Sequence, residues 1–269
     1  MIEAKAVNFA YTRGEPVIHD INLSINDGEF IALLGHNGSG KTTLSRLFMA
    51  LCHPRSGVIA IDGEDIAQYE PADLVEKIGY VFQNPDLQIL EDTVFDEIAY
   101  GLRIKKMSED EISKRVEAAM EATGLTELRN AYPRLLSFGQ KRRLGVAVAL
   151  SLKPKALILD EITNGQDSLE QERIMHYLQE INEKQGITII LITHDMEIAA
   201  RYAKRAIVLH RGKLAYDGTP ANLFDGTKAL ENWGLYRPTV LTLAGALNIV
   251  AADASELVEK IVRRAGAKA

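Results

Sequence analysis

The residues from Gly35 to Thr42 match the pattern G-x-x-x-x-G-K-[ST] without a mismatch, reading Gly-His-Asn-Gly-Ser-Gly-Lys-Thr. Glycines let such a loop curl so that successive backbone N–H groups point at a phosphate, and the following helix offers its positive end to the same anion. Lys41 adds a mobile cation, and the Thr42 hydroxyl is placed to ligate Mg²⁺. The pattern predicts a nucleotide-phosphate site made by Asn37, Gly38, Ser39, Gly40, Lys41, Thr42 and Thr43.

Two carboxylates follow a second segment of the chain. Asp160 and Glu161 come directly after the apolar run at residues 156–159. A carboxylate at a strand end can hold Mg²⁺ through water, and its neighbour can polarise an attacking water. Alone, such a pair is usually a solvated strand end. Beside a phosphate loop, it predicts phosphate chemistry.

Three short apolar runs position these groups, at residues 30–34, 156–159 and 187–192. Continuous apolar strands separated by helical stretches predict an α/β fold with a parallel sheet covered on both faces. All three runs end in polar or glycine-rich residues. Ligands of open parallel sheets bind at the carboxyl ends of the strands, so the three segments should meet at one edge.

The middle and the end of the chain have helical patterns. Ser108 and Glu111 form a capping box, apolar residues follow at helical spacing, and Gly124 supplies a stop. A helical block over roughly residues 97–152 therefore reads as an insertion between sheet elements. A turn at residues 217–220 leads into another helix, and a further helix is expected over residues 253–264.

The composition sets limits on function. Of the 269 residues, 46% are hydrophobic and 25% are charged, as in ordinary globular proteins, and the net charge of −6 gives no basic footprint for nucleic acid. Cys52 is the only cysteine, so no intrachain disulfide is possible. The first residues lack a secretory-signal pattern, and the apolar stretch at 241–252 is too short to span a bilayer. Any work at a membrane would require docking on another subunit.

The segment Leu136-Ser137-Phe138-Gly139-Gln140, followed by Lys141-Arg142-Arg143, resembles the L-S-G-G-Q signature of ABC ATPases. Ser137 is also a plausible N-cap, and a capped helix N-terminus offers a second anion site. The resemblance implies that Ser137, Phe138, Gly139 and Gln140 cover the ATP of a partner subunit. It also implies a P-loop NTPase core with a parallel central sheet, an antiparallel β subdomain, an inserted α-helical subdomain at about 84–152 and a small C-terminal extension. The ATPase domain would span 1–222, and the helical extension 223–269 is a possible dimer contact.

Other motifs match this family in order and spacing. By resemblance, Gln83 is the Q-loop glutamine, Asp167 lies in the D-loop at 164–167, His194 is the switch histidine that contacts the γ-phosphate, and Tyr11 stacks on adenine. Together with the residue chemistry, the resemblance implies a catalytic set of Glu161, His194, Lys41 and Gln83. The implied cofactors are ATP and Mg²⁺, with the metal held by Thr42, Gln83 and Asp160.

A narrower resemblance lies in Val-Phe-Gln-Asn-Pro-Asp-Leu-Gln at residues 81–88. This string is similar to one in energy-coupling-factor ATPases, which serve uptake of vitamins and of cobalt or nickel. The resemblance implies a peripheral protein on the cytoplasmic face of the membrane, with a second ATPase subunit, a transmembrane scaffold and a separate substrate-binding membrane protein as partners. Four carboxylates are our candidates for contacts with basic scaffold helices, against the alternative of a solvated acidic face: Glu91, Asp92, Asp96 and Glu97.

Two departures from the family pattern leave the activity of this copy open. Phe138 replaces the first signature glycine, and Ile162 replaces the usual proline after Glu161. A soluble ABC ATPase of an assembly or repair complex is the main alternative, although the interval from Thr42 to Leu136 is too short for a long inserted coiled coil. A P-loop GTPase or small-molecule kinase would leave the signature unexplained. The pattern does not distinguish a homodimer from a heterodimer, nor does it identify the cargo.

Overall fold

The computed structural model describes residues 1–12, 14–163, 168–247, 249 and 254–266. Its strands divide between two sheets, and most of the core strands are five to eight residues long. In chain order they are β1 (Ile2–Phe9), β2 (Ile18–Ile25), β3 (Phe30–Leu34), β4 (Ser56–Ile61), β5 (Glu64–Asp65), β6 (Ile78–Val81), β7 (Ala156–Asp160), β8 (Thr188–Ile192), β9 (Arg205–His210) and β10 (Lys213–Gly218).

The larger sheet has the strand order β10-β9-β3-β8-β7-β6. All its pairings are parallel except that of β9 with β10. Every residue of β3, β7 and β8 is buried, which explains why these strands are continuous apolar runs. The smaller sheet is antiparallel, with the order β2-β1-β4-β5. The predicted α/β fold is thus confirmed.

The helices are α1 (Lys41–Phe48), α2 (Pro71–Leu74), α3 (Val94–Ile104), α4 (Glu109–Thr123), α5 (Phe138–Ser151), α6 (Ser168–Gln185), α7 (Met196–Tyr202), α8 (Pro220–Leu223), α9 (Thr239–Ala246) and α10 (Ala254–Gly266). Between β6 and β7, helices α3, α4 and α5 pack around their own hydrophobic cluster, which includes Ile98, Val116 and Leu144. Ser108 caps α4, and Gly124 ends it in a left-handed conformation, as the sequence predicts. This cluster makes the inserted block a separate layer beside the sheet.

The start of the C-terminal stretch belongs to the core around β3. Leu223, Phe224, Leu230 and Leu235 share one buried cluster with residues of β3 and β9. Helices α9 and α10 follow, and Ala244 packs with Leu257 in a small cluster of their own. Among the described residues, no helix combines the length and the apolar character that a membrane span requires.

Candidate functional site

The loop between β3 and α1 depends on glycine at two positions. Gly35 has φ +141°, and a Cβ there would overlap the carbonyl oxygen of Leu209. Gly40 has φ +107°, and its Cβ would lie 2.8 Å from Ile18 Cδ1. Both the backbone conformation and the close approach therefore require glycine. They let the chain turn sharply from the buried strand into α1, which begins at Lys41.

Lys41 is the cation of this loop. Its side chain is buried, and Nζ donates to the carbonyl oxygens of Gly35 at 2.7 Å and His36 at 3.1 Å. Burial lowers the pKa of Lys41, whereas the nearby Glu161 and Asp160 raise it. The ammonium group is therefore held against the loop by two of its carbonyl oxygens, and Lys41 lines the cavity at this loop.

A cavity of about 200 Å³ opens on the same loop, lined by Val17, Asn37, Gly38, Gly40, Lys41, Thr42, Thr43 and Glu161. The ring of Tyr11 lies near its edge: the hydroxyl group is 3.1 Å from Thr43 Oγ1, and the side chain is 55% exposed. The other side of this ring is supported by Phe9, edge to face at 4.9 Å. An exposed, supported aromatic ring suits stacking on a base.

Asp160 ends β7 and is buried. Its Oδ2 accepts a hydrogen bond from the hydroxyl group of Tyr80 at 2.8 Å. Burial raises the pKa of Asp160, and the hydrogen bond from Tyr80 and the charge of Lys41 act in the opposite direction. The carboxylate therefore sits in a poorly solvated position, where a bound cation would stabilise its charge strongly.

Glu161 is the point at which three predicted site residues meet. Gln83 Nε2 donates to Glu161 Oε2 at 2.6 Å, and His194 Nδ1 lies 3.5 Å from Glu161 Oε1. The backbone of Glu161 has φ +50°, a left-handed conformation that is rare for a residue with a side chain, and its N–H donates to Ile192 at 2.9 Å. Strands β6, β7 and β8 thus bring one polar group each to this edge.

The oxygen-rich side of the site fits Mg²⁺. Thr42, Gln83 and Asp160 offer hydroxyl, amide and carboxylate oxygens, the hard donors that Mg²⁺ prefers. The described part of the chain has no group of three His, Cys, Asp or Glu residues that would hold a metal by itself. A magnesium ion held by one or two protein groups together with substrate phosphates does not need such a group.

The signature segment forms the N-terminus of α5. Ser137 is the N-cap, as predicted: its Oγ accepts from the N–H of Gln140 at 3.2 Å, and Gln140 Oε1 accepts from the N–H of Ser137 at 2.8 Å. A Cβ on Gly139 would lie 3.0 Å from Glu170 Oε2, which is the end of a flexible side chain. The helix end is therefore capped within the chain and open to an incoming anion.

Both departures from the family pattern have a structural explanation. The ring of Phe138 is 43% exposed and lies 4.4 Å below the guanidinium group of Arg142. Arg142 is buried and donates to the carbonyl oxygen of Ile162, and burial lowers its pKa to about 10. The Ile162 side chain is fully buried in the core against α6. Arg142 thus connects the signature helix with the loop after Glu161.

The four carboxylates proposed to contact scaffold helices differ in burial and in their partners within the chain. Glu97 is only 4% exposed, and its Oε2 accepts from the N–H groups of Leu90 at 2.8 Å and Glu91 at 2.7 Å. The carboxylate of Glu97 is thus buried and already used within the chain, which favours the other three residues for the proposed scaffold contact. Asp96 pairs with Arg103 at 2.8 Å, whereas Asp92 is exposed and Glu91 is half-buried.

The D-loop residue Asp167 lies outside the described residues. Two residues at the site were not expected from the sequence. Tyr80 donates a hydrogen bond to Asp160, and Arg142 donates one to the carbonyl oxygen of Ile162. Tyr80 lies three residues before Gln83 on a neighbouring strand, which was a usable signal because parallel neighbours end at one edge. Arg142 gave no such signal, since a charge after the signature resembles any basic helix residue.

A larger cavity, of about 350 Å³, lies between α6, α7 and residues 238–241. Met175, Ile198 and Leu241 give it an apolar lining. It contains none of the phosphate-loop residues, so volume alone is a poor guide to the chemistry here.

A sequence profile of the ABC transporter family matches residues 18–164, which include the phosphate loop, the signature and the carboxylate pair. The chain belongs to the ABC transporter family. It is similar to the energy-coupling factor transporter ATP-binding protein EcfA2 of Caldanaerobacter subterraneus, with 41% identity over 91% of this chain and 88% of that protein. The EcfA2 protein of Clostridium tetani is 42% identical over 86% of this chain and 81% of that protein.

A putative ABC transporter ATP-binding protein of Methanosarcina mazei is 45% identical over 86% of this chain, but the match covers only 39% of that protein. This chain thus spans less than half the length of the first relatives it matches. Among solved structures it resembles CbiO1 of Clostridium perfringens, part of the cbiONQ transporter complex, with a TM-score of 0.80, 36% identity and coverage of 91% of this chain and 98% of that one. It also resembles the dimeric cassette MJ0796 bound to ADP and Pi, with a TM-score of 0.73, 31% identity and coverage of 82% and 99%.

Proposed function

We propose that this chain hydrolyses ATP and that its motion on hydrolysis drives an importer. One observation supports this most directly: Gln83 and His194 converge on Glu161, next to the loop that holds Lys41. A carboxylate with an amide donor on one side and an imidazole on the other is suited to orienting a water against a terminal phosphate. A binding module without hydrolysis would not need this arrangement.

Each residue then has a part in the reaction. The loop from Asn37 to Thr43 binds the phosphates through backbone N–H groups, and Tyr11 stacks on the base. Glu161 orients or deprotonates the attacking water, while Lys41 and His194 stabilise the charge that develops on the γ-phosphate. The left-handed backbone of Glu161 and its hydrogen bond with Gln83 fix the carboxylate before the substrate arrives.

Thr42, Gln83 and Asp160 are the residues that would hold Mg²⁺. Bound there, the ion would supply positive charge that offsets part of the negative charge of the phosphates.

The second half of each site should come from another subunit. Ser137 and Gly139 lie at an open helix end, and similarity to a dimeric cassette bound to ADP and Pi supports pairing across this surface. We infer that ATP closes the pair and that hydrolysis reopens it. Asp167 and the extension from residue 223 onward would lie at the same contact. Both assignments remain proposals.

The transporter branch is supported by the EcfA2 relatives and by the likeness to CbiO1. We therefore propose an energy-coupling-factor importer of a micronutrient, either cobalt or nickel or a vitamin. In it, this chain would lie against a transmembrane scaffold at the cytoplasmic face, and a separate membrane protein would bind the cargo. Glu91, Asp92 and Asp96 are the candidate carboxylates that are not buried, and Asp96 is already paired with Arg103.

Glu161→Gln tests the catalytic assignment. The change keeps the shape of the side chain but removes its ability to accept a proton, so ATP hydrolysis by the purified subunit or complex should fall by about 100-fold or more. ATP binding should persist and the closed dimer should accumulate. Glu172→Gln is the matched control, since Glu172 pairs with Arg201 on the surface. Near-normal turnover in Glu161→Gln would contradict the assignment.

The transport branch needs a separate experiment. The chain, purified with its native membrane partners, should bring down a scaffold protein and a substrate-binding membrane protein with its small molecule. A soluble assembly or repair complex in their place would support the alternative and leave the ATPase assignment intact.

A further inference from the structure

Two predicted metal ligands, Thr42 and Asp160, are connected by a pair of hydroxyl groups that the mechanism above does not use. Ser45 is buried, and its Oγ donates to the carbonyl oxygen of Thr42 at 2.9 Å. The Tyr80 hydroxyl donates to Asp160 Oδ2 at 2.8 Å. The two hydroxyl oxygens lie 3.4 Å apart. One network therefore links the Asp160 carboxylate with the backbone carbonyl of Thr42.

The direction of these hydrogen bonds follows from the number of protons. The Tyr80 proton is used for Asp160, so the Tyr80 oxygen can only accept from Ser45. The single Ser45 proton is therefore shared between the Thr42 carbonyl oxygen at 2.9 Å and the Tyr80 oxygen at 3.4 Å. An ionised Asp160 carboxylate has no proton to donate, so the proton of this hydrogen bond belongs to the Tyr80 hydroxyl group.

The backbone gives Tyr80 its position. Strand β6 pairs in parallel with β7, with Tyr80 beside Ile158, so the long side chain reaches forward along the sheet to the end of β7. The ring packs against Phe82 at a centroid distance of 4.7 Å. A phenylalanine would keep this packing but lack the donor. A shorter polar side chain would not span the gap from β6 to the carboxylate.

We propose that Tyr80 is a positioning residue for the metal site, which aims the free oxygen of Asp160 at the cation and, through Ser45, keeps that carboxylate in register with Thr42. The proposal rests on the proposed ATPase function and adds a residue to it. It predicts that Tyr80 affects affinity for the metal and not affinity for the nucleotide.

The experiment compares three variants of the full chain: Tyr80→Phe, Ser45→Ala and Tyr177→Phe. Tyr177 is the matched control, because it is also half-buried, its hydroxyl group is enclosed, and that group has no hydrogen-bond partner among the described residues. Mn²⁺ binding to the complex with a non-hydrolysable ATP analogue is measured by electron paramagnetic resonance. Binding of a fluorescent ATP analogue is measured separately in EDTA, where no divalent metal is present.

In Tyr80→Phe the affinity for Mn²⁺ should fall about tenfold, since removing a group that orients a metal ligand commonly has an effect of this size. Binding of the nucleotide in EDTA should change less than about twofold, as should both measurements in Tyr177→Phe. Ser45→Ala should weaken Mn²⁺ binding by a smaller factor, because it removes the support of Thr42 but leaves the bond between Tyr80 and Asp160.

Three results would overturn the proposal. An unchanged affinity for Mn²⁺ in Tyr80→Phe would show that Asp160 needs no orientation. Loss of nucleotide binding in EDTA together with loss of metal binding would show that Tyr80 only supports the fold, and an equal effect in Tyr177→Phe would lead to the same conclusion. Should Tyr80→Phe fail to fold, an unchanged affinity in Ser45→Ala decides against the network. Failure of the wild-type chain to bind either nucleotide would instead refute the ATPase function itself.

Discussion

The phosphate loop and the signature segment both present the N-terminus of a helix, but they differ in what surrounds it. Around the phosphate loop the chain supplies its own cation, its own carboxylates and a cavity of about 200 Å³. Around Ser137 it supplies only a cap and an open surface, with Phe138 43% exposed and Leu135 84% exposed. The phosphate-loop half-site is thus built by one chain, whereas the helix end at Ser137 offers donors that are expected to meet an anion bound by a partner.

This difference indicates how the work is divided. Groups that must be fixed before the reaction, such as Glu161 and Asp160, are held by hydrogen bonds across neighbouring strands. The groups expected to meet a partner's nucleotide lie on α5, in a block with a separate core. The block is also attached to the sheet edge, because Val146 and Ala149 of α5 pack with residues of the sheet and Arg142 donates to Ile162.

The largest expected effect comes from breaking each half-site in turn. Lys41→Ala should reduce ATP binding by the isolated chain about 100-fold or more, because the buried cation at the phosphate loop is lost. Ser137→Ala should leave this binding almost unchanged while it lowers hydrolysis in the assembled complex. Filter binding and a phosphate-release assay measure the two quantities, with Lys105→Ala as the surface control. Equal loss of ATP binding in both variants would show that Ser137 also binds the nucleotide of its own chain, contrary to the proposed separation of the two half-sites.

The helical block should lose stability when its buried carboxylate is removed. Glu97→Ala leaves two N–H groups without an acceptor, so the free energy of unfolding should fall by about 2–3 kcal/mol in urea denaturation. Asp92→Arg should not change stability but should weaken capture of the scaffold. Stable Glu97→Ala protein that no longer assembles would restore Glu97 as a contact.

Phe138 offers a finer test of the signature surface. Phe138→Ala removes the ring that faces Arg142, which should lower the free energy of unfolding by about 1 kcal/mol. Phe138→Tyr, which keeps the ring, is the control. Equal stability of the alanine and tyrosine variants would mean that the contact contributes nothing measurable.

The smallest effect concerns pH. Hydrogen bonds from Thr93 and then Arg103 hold the pKa of Asp96 below its usual value. The folded state therefore favours the charged form, and this contribution is present above the unfolded pKa of about 4 and is lost as the pH falls through the folded pKa. The difference in Tm between wild type and Asp96→Asn should be largest near neutral pH and shrink under acidic conditions, by calorimetry. A difference that grows on acidification would reverse the sign of the argument. The difference in Tm should be small, because Asp96 and Arg103 are both partly exposed to solvent.

The sequence was sufficient for the parts that depend on local pattern. Buried parallel strands need continuous apolar runs, so β3, β7 and β8 were predictable. Caps also depend on a few adjacent residues, which is why Ser108 and Ser137 were correctly interpreted. Order along a parallel sheet explains why the groups after β7 and β8 meet at one edge.

Side-chain burial was harder to predict, because it depends on what packs above a residue. Glu97 looks like a surface carboxylate in the sequence, yet the chain from residue 90 folds over it and uses it as an acceptor. Arg142 is buried by Phe138 and by the loop after Glu161, which lie together only in the folded chain. The metal site, the partner's contribution and the boundary of the extension stay predictions.

The left-handed backbone at Glu161 has a consequence for how this protein tolerates mutation. A residue with a side chain at φ +50° costs about 1 kcal/mol relative to glycine, which adopts this conformation freely. Glu161→Gly should therefore be a more stable protein and an inactive one. Screening variants for heat resistance alone would favour that inactive sequence, so the glutamate is retained only where turnover is also under selection.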